Sequence, residues 1–307
     1  MSASRGTAVA TALVGVALAV AGCGFGPGSG VGEVSLTVTR DYGAEPVQPV
    51  ARVEASESDT VMRVLEREAT IATRYSGGFV QAIDGLEADE RFGRAFDWFF
   101  YVNGVESPVG AADFALRGGE AIWWDYRNWT ATQQVPAVVG SWPHPLRGGY
   151  EGEPHPVTLE CRGAGAACGT VRRRLGEAGV TLAAGPSGDA IRILVGSWAR
   201  LRADPAAAQL EQGPRASGVF ADFARRAGGY RLQGLDEGGA VAREFGPDAG
   251  LVAATRRFEA PPVWLVSGAT DRGALAAAEL LDAAQLRDRY AVAADGGRET
   301  ALPVAAR

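Results

Sequence analysis

The chain has 307 residues, of which 47% are hydrophobic and 21% charged, and it carries a net charge of −6 at pH 7. This composition is ordinary for a globular protein of about two domains with a real hydrophobic core. An acidic chain without a basic stripe argues against a nucleic-acid partner. The sequence contains no lysine, so all 30 basic residues are arginine. This excludes a P-loop lysine, a Schiff base and a lysine general base.

The first segment is typical of an exported protein. Arg5 precedes an uninterrupted run of small and apolar residues over 8–20. The run is shorter than the roughly 20 apolar residues of a permanent membrane span, but it suits a signal-peptide core. The following Val20-Ala21-Gly22-Cys23 resembles the lipobox of bacterial lipoproteins. An ordinary secretory signal followed by a chance cysteine is the alternative.

The lipobox resemblance implies removal of residues 1–22 as a signal peptide and lipidation of Cys23. Residues 23–32 are rich in glycine, which favours a flexible tether. We therefore expect a protein anchored by lipid to the extracytoplasmic face of the cell membrane.

Residues 33–132 predict a first domain of strands and one helix. Val34, Leu36 and Val38 alternate with polar residues, as in a half-buried strand, and a second extended segment contains Val50 and Val53. Further elements are predicted in this order: a helix capped by Asp59 or Thr60 with Val61, Val64, Leu65 and Ile71 on one face, then strands over 79–83, 97–102 and 121–126. This order of elements predicts a β-grasp.

The aromatic strand ends at the tight-turn dipeptide Asn103-Gly104, and Gly118-Gly119-Glu120 precedes the last strand. With the aromatic residues of both strands, these motifs resemble the transcobalamin-like C-terminal domain, a β-grasp module of vertebrate cobalamin carriers and many bacterial surface proteins. In the vertebrate carriers this domain caps the corrinoid, while a separate all-helical barrel holds its other side. No such barrel can be read from this sequence.

The resemblance and the concentration of aromatic residues together indicate a binding surface for a planar ligand. Trp123 and Trp124 are adjacent in a strand, so they must point to opposite faces of the sheet. One belongs to the core, and the other needs cover from a loop, the second domain or a ligand. The alternative is that all these aromatics form the core of a small domain. The predicted ligand-binding residues are Trp98, Tyr101, Asn103, Trp123, Trp124 and Tyr126.

Residues 133–156 contain five prolines and predict a semi-rigid linker. Both histidines of the chain, His144 and His155, stand between prolines here. We expect them to be solvated. Neither a metal site nor a Ser-His-Asp arrangement is favoured.

Residues 157–303 predict a second domain of α/β type with a mixed sheet. Short apolar runs over 191–195 and 263–266 suit buried strands, with helices beginning near Asp204-Pro205 and Thr270-Asp271. A hairpin is predicted around residues 236–239. Cys161 and Cys168 favour a disulfide that staples a glycine-rich loop, with a metal site or free thiols as the alternatives.

The whole chain is thus predicted to be α+β: a β-grasp domain followed by a mixed-sheet domain. The favoured function is an anchored binding lipoprotein that captures a small planar ligand, such as a corrinoid, for uptake by an envelope transporter. A structural or interaction module of the cell envelope is the alternative, with a protein or polymer as its partner. We expect no enzyme activity, cofactor or metal, because no spacing of acid, base or nucleophile marks a catalytic site.

Overall fold

The computed structural model describes residues 30–75, 77–185 and 187–305. The predicted signal peptide, Cys23 and the tether up to residue 29 lie outside these ranges. Residues 30–32, predicted as the end of the tether, already belong to strand β1 (Gly30–Arg40). Within the described ranges, none of the helices combines the length and apolar character that crossing a membrane requires.

The first part of the chain forms a mixed sheet with one helix, α1 (Val61–Glu68). The remaining elements of this part are β2 (Glu45–Ser56), β3 (Ile71–Arg74), β4 (Phe79–Ile83), β5 (Leu86–Glu87), β6 (Asp89–Arg91), β7 (Arg94–Val102), β8 (Val105–Glu106) and β9 (Ala121–Asn128). The main sheet has the order β2-β1-β9-β7-β6, and β8 pairs with β7. Its central strands β1 and β9 are parallel, whereas β7 and β9 are antiparallel. A small antiparallel sheet, β3-β4-β5, completes this part.

Helix α1 covers one face of the main sheet because its apolar residues recur on one side. Thr60 caps it by accepting a hydrogen bond from the Arg63 amide. Val61, Val64 and Leu65 are buried against the sheet. The expectation that Ile71 shares this helical face is wrong, because α1 ends at Glu68 and Ile71 begins β3.

The second part contains a six-stranded mixed sheet whose two longest helices lie on one face. Its elements are β10 (Val157–Cys161), α3 (Gly165–Glu177), β11 (Ile191–Ser197), α4 (Trp198–Leu201), a 3-10 helix (Ala207–Gln212), α5 (Pro214–Ser217), β12 (Ala221–Arg226), β13 (Gly229–Leu235), β14 (Val241–Glu244), β15 (Gly250–Thr255), β16 (Val263–Gly268), α6 (Asp271–Glu279), α7 (Ala283–Leu286), β17 (Ala291–Asp295) and β18 (Arg298–Leu302). The sheet order is β10-β11-β16-β15-β17-β18, of which the first three strands are parallel. The described residues thus form mixed sheets with few helices, an α+β arrangement.

Side chains alternate between the two faces of this six-stranded sheet. On β11, Ile193 and Val195 pack with residues of α3 and α6. Leu194, between them, packs instead with Phe223 and Leu232 of the three-stranded sheet β12-β13-β14. A short 3-10 helix and α5 stand where the sequence predicts one alanine-rich helix after Asp204-Pro205.

The segment predicted as a linker is packed against both parts of the chain. It contains the short helix α2 (His144–Gly148), and Val135, Val138 and Val139 are fully buried. The Val138 amide donates to the carbonyl of Gly104 at 2.9 Å, and the Val139 amide donates to that of Tyr290 at 3.2 Å. The prolines therefore shape an ordered connection, while the predicted domain bounds remain a prediction.

Candidate ligand-binding site

Strands β7 and β9 place their aromatic residues on two different faces of the first sheet. Phe100 pairs with Trp124, and Tyr101 pairs with Trp123 in the antiparallel register. Trp124 belongs to the core beneath α1. Trp123 belongs to the core shared with the second part of the chain. The second part therefore provides the cover that the sequence requires for one of the two tryptophans.

Tyr290, the residue before β17, is the main contact of the second part with this face. Its ring centroid lies 5.4 Å from that of Trp123 and 5.8 Å from that of Tyr101, both edge-on. The Tyr101 hydroxyl donates a hydrogen bond to the Tyr290 hydroxyl at 3.2 Å. These aromatic rings form a junction with no room for a ligand between them, since Tyr101 and Trp123 are almost fully buried.

Asp125 is the charged centre of this junction. Its carboxylate accepts hydrogen bonds from the hydroxyls of Thr39 at 2.6 Å and Tyr290 at 3.0 Å. The amides of Tyr42 and Gly43 donate to it at 3.0 Å each. Burial raises the pKa of Asp125 to about 6, although these donors oppose the shift. Every contact of Asp125 is internal, so its role is to fix the two parts of the chain together.

Gly43 is required at this junction because a side chain at this position would not fit. It has a φ of +79°, and a Cβ there would lie 1.9 Å from the carbonyl oxygen of Asp288.

Arg127, on the same strand as Asp125, is also fully buried. It donates to the carbonyls of Thr132 at 2.8 Å and Gln133 at 2.9 Å, and its guanidinium lies 3.7 Å from the Phe99 ring centroid.

A recess of about 190 Å³ opens on the other face, beside α1. Its aromatic walls are Phe79, Trp98, Phe99, Phe100 and Trp124. The rings of Phe100 and Trp124 stack with centroids 4.9 Å apart. We call this space the aromatic recess.

The two tryptophans of the aromatic recess differ in their hydrogen bonds. The Trp98 indole N–H donates to the carbonyl of Leu86 at 3.0 Å. The Trp124 indole N–H is buried and has no hydrogen-bond partner in the described part of the chain. A buried donor without an acceptor costs free energy comparable to a lost hydrogen bond. Trp124 therefore carries a buried donor that the described fold leaves unsatisfied.

Glu106 supplies the one carboxyl group among the described residues that line the aromatic recess. One of its oxygens accepts a hydrogen bond from the Val135 amide at 3.0 Å. Burial raises the pKa of Glu106 to about 7, and the charge of Arg127 opposes that shift. Near neutral pH this carboxyl is therefore present in both forms, and the protonated form can donate a hydrogen bond.

The six predicted ligand-binding residues fall into three places. Trp98 and Trp124 line the aromatic recess, and Tyr126 packs on Trp98 at 5.3 Å between ring centroids. Tyr101 and Trp123 belong to the junction. Asn103 holds the turn after β7, where its side-chain amide donates to the carbonyl of Gly149 at 3.0 Å and its oxygen accepts from the Ala121 amide.

Sequence reasoning missed most residues of the aromatic recess, among them Phe79, Phe100 and Glu106. Phe79 and Phe100 lie in strands that the sequence predicts, and the period of two would have placed Phe100 on the face of Trp98. Glu106 follows the Asn103-Gly104 turn, but nothing in its spacing indicates burial.

A second cavity, of about 370 Å³, lies beside the junction. Trp123 and Trp142 form part of its wall, and Arg52, His144 and Arg287 supply polar groups. Burial lowers the pKa of His144, whose ring nitrogen contacts the carbonyl of Ser141 at 3.0 Å. This histidine is thus half-buried against the protein, where the sequence predicts a solvated side chain.

Cys161 and Cys168 are joined by a disulfide that links the end of β10 to the first turn of α3. His155 is stacked on Tyr150, with ring centroids 4.0 Å apart. Within the described ranges there is no group of three or more His, Cys, Asp or Glu side chains placed to hold a metal ion.

Comparison with known proteins gives a family model for part of the chain. Residues 58–128 match a domain of unknown function, DUF4430. No curated protein matches the sequence significantly.

Two solved structures are similar to about a third of the chain. Haptocorrin in complex with Cbi has 18% sequence identity and a TM-score of 0.27 over 34% of this chain, which spans 27% of the haptocorrin chain. A candidate metal-binding protein from Ruminococcus gnavus has 18% identity and a TM-score of 0.25 over 32% of this chain and 97% of its own.

Proposed function

We propose that this chain is a binding lipoprotein, anchored through Cys23 on the extracytoplasmic face of the membrane, that holds a planar ligand in the aromatic recess. The observation that carries the proposal is the unpartnered indole N–H of Trp124, a residue of the recess wall whose ring stacks on that of Phe100. Aromatic walls with a few convergent polar groups are typical of small-molecule sites. We propose no catalytic role.

The dimensions of the aromatic recess define the chemistry of this ligand. A volume of about 190 Å³ is below the usual range of complete ligand sites, so it suits about two fused rings. A ring nitrogen or carbonyl would accept the hydrogen bond of Trp124, and Glu106 could exchange a hydrogen bond with a second polar atom. We infer a planar heteroaromatic group with at least one acceptor.

A corrinoid remains the sharpest candidate because of the sequence resemblance to cobalamin carriers. The corrin macrocycle is too large for the aromatic recess, so the part that would enter is the benzimidazole base of cobalamin. We also infer that the first part is a β-grasp, which the order β2-β1-β9-β7 with a parallel central pair and α1 on one face supports. An envelope transporter component is the partner that this proposal implies.

The proposal is tested by equilibrium dialysis of the full chain in mild detergent against cobalamin, cobinamide and free benzimidazole. We expect retention of cobalamin and benzimidazole at micromolar to millimolar concentrations, and weaker retention of cobinamide, which lacks the base. Trp124→Phe should weaken binding by up to about tenfold, since it removes one neutral hydrogen bond but keeps the aromatic wall.

Trp198→Phe is the matched control for this experiment. Trp198 is also fully buried with an unpartnered indole N–H, but it stacks on Phe223 away from the aromatic recess. The Trp198→Phe substitution should leave binding of all three probes unchanged. Retention of none of the three probes would refute the ligand class, whereas equal effects of both substitutions would refute the site.

A second candidate, an interaction module, is favoured by aromatic side chains exposed at the turns of the first part. Tyr75 is 83% exposed and Phe92 is 99% exposed. Phe92 stands between Arg91 and Arg94, which pair with Asp89 and Glu237, so the exposed rings suit a partner with an apolar surface. Capture from envelope extracts by the full chain, lost in Tyr75→Ser/Phe92→Ser and retained in Trp124→Phe, would support this role. Equal capture by both variants would contradict it.

A further inference from the structure

A cavity of about 500 Å³ lies where the segment that follows β9 meets the second part of the chain. Its walls come from residues 134–136, the 3-10 helix, α5 and the loop that begins at Arg256. The volume is within the range of small-molecule sites, about 300 to 1,000 Å³. We call this space the arginine cavity.

Positive charge dominates the arginine cavity. Arg215, Arg256 and Arg257 line it, and no carboxylate is among its lining residues in the described part of the chain. Arg256 is already committed, because it pairs with Glu151 at 2.5 Å and donates to the carbonyls of Glu259 and Ala260. No ion pair to a described residue occupies Arg215 or Arg257. The Arg215 Nε donates a long hydrogen bond to the carbonyl of Ala131 at 3.4 Å, and its terminal N–H groups are available to a bound anion, as is the Arg257 guanidinium.

Side-chain amides provide a second kind of group in the arginine cavity. Gln209 is only 9% exposed, and its side-chain oxygen has no hydrogen-bond partner among the described residues. Its terminal torsion is soft, so the amide can adjust to accept a hydrogen bond from a ligand hydroxyl. Gln134 and Gln212 add further amides at the walls. These groups complement hydroxyl groups, which both donate and accept.

Phe258 provides an apolar surface at the same cavity. It is 88% exposed and has a φ of +51°, an uncommon conformation for a bulky residue. The fold therefore holds a large aromatic ring in solvent, beside the guanidinium of Arg257, whose central carbon lies 5.7 Å from the ring centroid. Such a ring can stack on the C–H face of a sugar.

We propose that the arginine cavity binds an anionic sugar, through a carboxylate or phosphate at Arg215 and Arg257, hydroxyls at Gln209, and the sugar face at Phe258. Arginine suits this role because its planar fork matches both carboxylate and phosphate oxygens. This site shares no lining residue with the aromatic recess, so either proposal can fail without the other.

The test is a calorimetric titration of the full chain with glucuronate, glucose 6-phosphate, glucose and inorganic phosphate. We expect binding of at least one anionic sugar, with glucose and inorganic phosphate each weaker by about tenfold or more, because each lacks one half of the recognised chemistry. No binding of either anionic sugar at millimolar concentration would overturn the proposal. Binding of inorganic phosphate as tight as that of glucose 6-phosphate would reduce the site to a simple anion site and also overturn it.

Variants locate the binding within the molecule. Arg215→Gln and Arg257→Gln should each weaken binding of the anionic sugar by about tenfold, since each loses a charge-assisted hydrogen bond. Arg172→Gln, at an exposed arginine of α3, is the control and should bind like the unmodified chain, as should Trp124→Phe. Near-ultraviolet circular dichroism would show that the variants are folded. Unchanged binding in both cavity variants would contradict the assigned site.

Discussion

Asp125 shows how one residue can hold a charge in a fully buried position. Four donors converge on its two oxygens: two hydroxyls and two backbone amides. A carboxylate only accepts hydrogen bonds, so all four donors are satisfied at once. An amide in the same place would direct its own N–H groups at some of these donors.

We therefore predict that Asp125→Asn destabilises the protein by about 2 to 3 kcal/mol, because buried donors lose their acceptor. The free energy of unfolding in urea measures the effect. Asp113→Asn, at an exposed carboxylate, should change stability by less than about 0.5 kcal/mol. Equal stability of the two variants would contradict the role given to Asp125.

Glu106 predicts a pH dependence whose sign follows from its raised pKa. Its pKa is about 7 in the folded chain against an ordinary value of 4.5, so the folded state binds the proton more tightly than the unfolded state. The associated stability is fully present below pH 4.5 and is lost as the pH rises through about 7. Glu106→Gln keeps an acceptor for Val135 but cannot titrate, so its stability should fall less between pH 5 and 8.

Urea denaturation at several pH values compares the two proteins. Asp125, whose pKa is also raised, to about 6, makes the stability of both proteins fall with rising pH in the same way. The difference in pH dependence between the two proteins therefore isolates Glu106. Identical pH slopes for Glu106→Gln and the unmodified chain would show that Glu106 is not the titrating group.

At the scale of elements, the pair β7 and β9 explains both what the sequence predicts and what it does not. Alternation along a strand correctly separates Trp123 from Trp124, and the dipeptide Asn103-Gly104 correctly predicts the turn after β7. The cover of Trp123 comes from Tyr290, a contact between residues far apart in sequence. Local periodicity contains no information about such a contact.

The same reasoning applies to the candidate sites. The aromatic motif led to Trp98 and Trp124, but also to Tyr101 and Asn103, because the motif does not separate a residue at a recess from one that supports the fold. Gln209 and Phe258 carried no sequence signal at all. Their burial and exposure depend on how the 3-10 helix and the Arg256–Phe258 loop pack in three dimensions.

The disulfide between β10 and α3 gives a prediction at this scale. Cys161 and Cys168 close a loop with a sequence separation of 7. Cross-linking such a short loop stabilises by about 2 to 3 kcal/mol in the chain-entropy model. Cys161→Ser/Cys168→Ser should lose about this amount in urea denaturation, and a dithiol reductant should leave the variant unaffected. Equal stability of the double variant and the oxidised chain would contradict a structural role.

At the scale of the whole molecule, the two parts share a hydrophobic core. Tyr101 and Trp123 of the first part pack in one cluster with Phe220 and Tyr290 of the second. The buried segment over 133–156 adds backbone hydrogen bonds to both parts. Their separation would expose a contiguous aromatic face to water.

A fragment of residues 30–132 should therefore be less stable than the full chain and bind the dye 8-anilinonaphthalene-1-sulfonate, which the full chain should not. Fluorescence of the dye and thermal denaturation followed by circular dichroism measure both properties. A fragment that unfolds cooperatively at the temperature of the full chain, without binding dye, would show that the shared core is not needed.

The most direct test of ligand binding in the aromatic recess is nuclear magnetic resonance of the tryptophan indole N–H groups, of which the chain has seven. Titration with benzimidazole should shift the Trp124 resonance strongly, because its unpartnered N–H gains an acceptor, and should leave that of Trp198 in place. A Trp124 resonance that does not move at saturating ligand would contradict the proposed site.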